Sequence, residues 1–95
     1  MSASNRMNEL RKAADVAEML GVVPWSISAF PIRLCIEMSD FRRITAGMRV
    51  KREAFRSSYF WDATVEGVNF RAVDNIDAAR PAVEEVTMPE LPDAA

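Results

Sequence analysis

Histidine is absent from this chain of 95 residues, and cysteine occurs once, as Cys35. The first absence removes the side chain most often used as a general base and as a metal ligand. Together the two exclude a zinc site of the usual kind and any internal disulfide, so a cytoplasmic setting is the expectation. Glycine is scarce. Gly21, Gly47 and Gly67 are the three, each at a helix end or turn, which leaves none for a phosphate-cradling loop. No apolar run approaches the ~20 residues of a membrane span. The opening Met1-Ser2-Ala3-Ser4-Asn5-Arg6 leads into an amphipathic stretch instead of the apolar core of a secretory signal. Serine has no histidine to activate it, and no lysine stands at a suitable spacing from a serine. Asp62, Glu66 and Asp74 surround one hairpin, but Asp62 is matched to Arg71. Cys35 reads as a structural thiol. No enzyme, cofactor or metal is expected.

What remains is the composition of one small globular unit. Apolar residues make up 49% of the chain, too many for a disordered polymer. A domain of this length buries only about 60% of the surface its unfolded chain exposes, so a partner or second copy could complete its core. The net charge of −2 conceals a division. Residues 1–73 hold eleven basic against eight acidic side chains, net +3, whereas residues 74–95 hold one against six, net −5.

The pattern predicts an α+β fold in the order α-β-α-β-β-β, with an N-terminal helix on a mainly antiparallel sheet of three or four strands. The helix runs from about Asn5 to Leu20. Met7, Leu10, Ala14 and Ala17 form its apolar stripe, widened by Ala13 and Leu20, with Ser4 as N-cap and Gly21 as its stop. Strict alternation in Ile32-Arg33-Leu34-Cys35-Ile36-Glu37-Met38 marks a strand with one buried face. A short helix from Asp40 to Ala46, capped by Ser39 and ended by Gly47, buries Phe41 and Ile44 and exposes Arg42 and Arg43. Met48 to Phe55 is a second strand.

The sharpest local signal is a hairpin. Tyr59–Val65 and Val68–Val73 flank Glu66-Gly67, a two-residue loop suited to a tight turn. Closing it sets Val65 against Val68, Ala63 against Phe70 and Trp61 against Ala72 on one face. Thr64 meets Asn69 and Asp62 meets Arg71 on the other. Phe60 then lies on the polar face, opposite Val73. Residues 1–74 are expected to form the domain. Residues 75–95, with Pro81, Pro89 and Pro92, five carboxylates and no aromatic, read as a flexible acidic tail. Such a tail could fold back over a basic patch, imitate nucleic-acid charge, or simply keep the chain soluble.

Two motifs bear on function. The run from Ala14 to Ser28 resembles the helix-turn-helix of LacI-type repressors. Ala17, Gly21 and Ile27 occupy the places of that family's small residue, turn glycine and branched aliphatic. The resemblance implies a second helix from Pro24 entering a DNA major groove. Against it, Pro31 stops such a helix near Phe30, and the helix would hold no Arg, Lys, Asn or Gln to read base edges. The other reading is a capped helix followed by an apolar loop, with Trp25, Ile27 and Phe30 packed on the sheet. The second motif is basic: Arg42, Arg43, Arg49, Lys51, Arg52 and Arg56 against Glu53 alone. These arginines suit carboxylate or phosphate partners, or equally a solvated strand face charged against edge pairing. Exposed Phe60 beside them suits a protein interface, or equally a second buried face covered by the N-terminal helix. Strand alternation prevents all six charges from sharing one patch.

In size and composition the chain is similar to the small accessory and inhibitor proteins of bacteriophages, anti-CRISPR proteins among them. That similarity implies a stoichiometric binder of a protein partner, using Arg42, Arg43, Arg49, Lys51, Arg52, Arg56 and Phe60. A DNA-binding regulator and a homodimeric component of a virion are the other readings. No membrane partner is expected.

Overall fold

The first helix, α1 (Ala3–Leu20), ends where a glycine lets the backbone turn left-handed. Gly21 has φ of +70°, its amide donates to the Glu18 carbonyl, and the Val22 amide donates to that of Ala17. That pair of bonds is a Schellman closure, and buried Val22 packs beneath it. The computed structural model describes residues 3–29, 31–75 and 82–90. After α1 follow β1 (Ser26–Ala29), β2 (Ile32–Cys35), α2 (Met38–Ile44), β3 (Arg49–Phe55), β4 (Ser58–Val65), β5 (Val68–Asn75) and β6 (Ala82–Thr87).

The six strands form one sheet in the order β1-β2-β5-β4-β3-β6. It is mixed: β2 runs parallel to β5, and the other neighbours are antiparallel. The fold is thus α+β as expected, but with two strands more than the alternation showed. β1 comes from the proline-flanked run after α1, and β6 from the segment read as a tail. In that segment Val86 stands opposite Val50 and Ala82 opposite Ala54, while Glu84 and Glu85 face Arg52 and Lys51. Strand pairing and opposite charge supply what composition alone does not. Met88 just beyond is 3% exposed, and its amide donates to the Met48 carbonyl. The domain therefore reaches past residue 74 to include 82–90; the expected tail at 76–81 and 91–95 lies outside the described residues.

Both helices contribute to one hydrophobic cluster on one face of the sheet. Leu34, Ile36, Phe70 and Ala72 supply the sheet side, Phe41 comes from α2, and Ala13 and Ala17 come from α1. The β4–β5 hairpin register holds residue for residue, from Val65 opposite Val68 to Trp61 opposite Ala72. The strand expected over Ile32–Met38 stops at Cys35, because Met38 already opens α2. Glu66 and Gly67 both take positive φ in the turn.

Three local expectations change. Ser4 lies inside α1, not at its cap. Ser39 lies inside α2, whose N-cap is Glu37 with no side-chain hydrogen bond. The buried stripe of α1 is Ala13, Val16, Ala17 and Leu20, rotated from the one expected, so that Met7, Leu10 and Ala14 are exposed. No helix among the described residues is long and apolar enough to cross a membrane.

Candidate functional site

The sheet has a second face, on which polar residues alternate with the core. Arg33 and Cys35 of β2 stand beside Asn69 and Arg71 of β5, and Asp62 of β4 stands opposite Arg71. Arg71 donates to both Asp62 oxygens, from Nε at 2.8 Å and Nη2 at 3.1 Å, and Arg33 Nε lies 3.5 Å from the same carboxylate. Hydrogen bonding to Asp62 raises the Arg71 pKa above its ordinary value, against the opposite pull of partial burial. The Arg71 guanidinium also sits 5.2 Å from the centre of the Phe60 ring. A shallow cavity of about 330 Å³ opens beside this cluster, with Arg49, Lys51 and Glu85 on its rim.

The structure separates the basic residues expected to act together. Arg49 and Lys51 lie on this polar face, and Arg49 is 2.7 Å from Glu85 of β6. Arg52 faces the helices instead. It covers the Tyr59 and Trp61 rings at 4.4 and 5.3 Å and is bound by Glu84. Arg43 leaves α2 to donate to the Leu20 carbonyl at 2.8 Å and the Gly21 carbonyl at 3.1 Å, closing the exposed end of α1. Arg42 points outward on the same helix, and Arg56 occupies the β3–β4 turn with φ of +56°. Phe60 is half-buried, stacked with Arg71, and α1 does not cover it. Arg43, Arg49 and Arg52 are thus engaged within the fold. Arg33 and Arg71 were not among the candidates: the hairpin already matched Arg71 to Asp62, and the parallel β2–β5 pairing that adds Arg33 has no local signal.

A different surface is apolar and exposed. Ser26–Ala29 is a strand, so no recognition helix follows Gly21, and Trp25 and Ile27 do not pack on the sheet as expected. Phe30 lies outside the described residues. Val23 is 81% exposed, Trp25 61% and Ile27 57%. Ile27 stands opposite Leu34 and so projects on the helix side of the sheet. There it borders a groove of about 280 Å³ whose walls include Leu10, Ala14, Val23 and Leu34. The rotated stripe of α1 and the edge of the sheet thus share one apolar channel. Among the described residues nothing pairs with the outer side of β1. From Met19 to Ile32 no residue carries a charge. That uncharged run was legible in the sequence, but it reads equally well as core until β1 is placed at an edge.

No three carboxylate or thiol groups gather to hold a metal ion among the described residues. Compared with known proteins, the chain matches no family model, no curated protein and no solved structure.

Proposed function

We propose that this chain is a non-catalytic protein-binding module, and that it takes an extended segment of its partner along β1 and the α1–β1 groove. The observation that carries this is the exposure of Val23, Trp25 and Ile27 along an uncharged strand edge that is unpaired among the described residues. An open edge presents a row of backbone donors and acceptors that another strand can satisfy. The flanking channel offers apolar burial to alternate side chains of that strand, and contiguous apolar surface of this kind marks protein contacts. Such a surface takes a stoichiometric partner, which suits an accessory or inhibitor role.

The charges support a protein partner over nucleic acid. Arg49 and Arg52 are matched by Glu85 and Glu84, and Arg33 and Arg71 share Asp62. Arginines engaged in this way hold less attraction in reserve for a phosphate backbone. Cys35 has no histidine beside it in the chain, which favours binding over catalysis.

The test is capture by the immobilised chain, from a nuclease-treated cell extract and from a second, differently tagged copy. Ile27→Lys and Trp25→Ser should each abolish capture, while Arg49→Glu combined with Lys51→Glu should leave it intact. The reverse pattern would move the binding surface to the polar face. Capture of nuclease-sensitive material that weakens steeply with salt would replace the protein reading with a nucleic-acid one.

A further inference from the structure

We propose that the occupant of the β1 edge is a second copy of this chain, paired antiparallel through β1 about a two-fold axis at Ile27. This rests on the edge-binding reading above and names its partner.

The two edges of the sheet differ in what they permit. β6 carries adjacent Glu84 and Glu85, engaged by Arg52 and Arg49 of β3, so a strand added there meets a charged edge instead of a neutral one. β1 reads Ser-Ile-Ser-Ala within a run that has no charge from Met19 to Ile32, so two β1 edges meet without like-charge repulsion. A contact between β1 of one copy and β6 of the next would be head-to-tail and would continue as an open fibre, whereas β1 against β1 closes after two copies. Neutrality at one edge and charge at the other thus favour the closed pair.

Symmetry then sets the register. A two-fold axis perpendicular to an antiparallel pair passes between residues that stand directly opposite, so one residue must face its own copy. Placing Ile27 there sets Ser26 against Ser28, and the side-chain alternation is kept on both faces. Ile27 projects on the helix side beside the channel lined by Leu10, Val23 and Leu34, with Glu18 also on its wall, so the two largely apolar channels join across the axis around each Ile27. Both serines fall on the opposite face. The two six-stranded sheets become one continuous sheet with all four helices on one side.

Sedimentation velocity over a concentration series tests this on the full chain. The expected result is a monomer–dimer equilibrium that Ile27→Lys weakens by about 100-fold, since it removes apolar burial and sets two like charges face to face. Circular dichroism confirms that the variant is folded, which the exposure of Ile27 leads one to expect. Register is read by crosslinking in a Cys35→Ser background. Ile27→Cys should form a disulfide dimer on mild oxidation, because facing residues at the axis lie within disulfide reach, whereas Ser28→Cys faces Ser26 and should not. A wild-type chain that stays monomeric at every concentration, or a dimer indifferent to Ile27→Lys, overturns the proposal. If the wild type is monomeric yet Ile27→Lys abolishes capture of a foreign protein, self-pairing fails and the edge reading stands. If neither Ile27→Lys nor Trp25→Ser changes any association, both fail.

Discussion

Arg52 of β3 and Glu84 of β6 stand opposite one another across 32 positions of chain, and Arg52 Nε donates to a Glu84 carboxylate oxygen at 2.9 Å. The guanidinium also lies over the Tyr59 and Trp61 rings, so one side chain joins the acidic strand to the aromatic end of the core. Arg52→Glu and Glu84→Arg should each destabilise the fold by about 1 kcal/mol, a partly exposed pair being worth little more. The double reversal should recover part of that loss, as a double-mutant cycle in urea would show. Arg52→Ala should cost more than Glu84→Ala, because it also uncovers the rings.

Met88 distinguishes an integral β6 from a passive terminus. Burial at 3% exposure predicts that Met88→Ala lowers stability by ~2–3 kcal/mol. Val83, exposed on the same segment, should tolerate serine within about 0.5 kcal/mol. Equal, negligible effects in chemical denaturation would detach β6 from the domain.

Arg43 closes α1 from the outside. Its two bonds to the Leu20 and Gly21 carbonyls predict a loss of about 1 kcal/mol for Arg43→Ala, the modest value reflecting its exposure. Amide exchange should rise at Gly21 and Val22, whose hydrogen bonds form the same helix end. Arg42→Ala, on the outward side of α2, should change neither stability nor exchange.

Asp62 anchors the polar face. Asp62→Asn deprives Arg33 and Arg71 of the carboxylate they share and should cost about 2 kcal/mol in denaturant titration. Arg33→Gln should cost less, since Arg71 keeps its two-point bond to Asp62. Should Arg33→Gln prove the more harmful, the Arg33–Asp62 contact would be the stronger one.

Sequence alone determined the features whose partners lie close along the chain. The β4–β5 register followed from a two-residue loop and period-two alternation, because a slip of one residue would turn every apolar side chain to the wrong face. The Gly21 helix stop and the buried positions of β2 were legible for similar local reasons. Tertiary structure decided everything that depends on distant partners. In alanine-rich α1, several faces are apolar enough to be buried, and the position of the sheet selects Ala13 and Ala17 over Met7 and Leu10. The parallel β2–β5 pairing brings Arg33 to the Asp62–Arg71 pair, and no local pattern encodes it. β6 looks too charged to fold until Arg49 and Arg52 stand across from it. Most consequentially, Val23, Trp25 and Ile27 have the composition of a core. Their exposure follows from the position of β1 at the end of the strand order, with no further strand beyond it among the described residues.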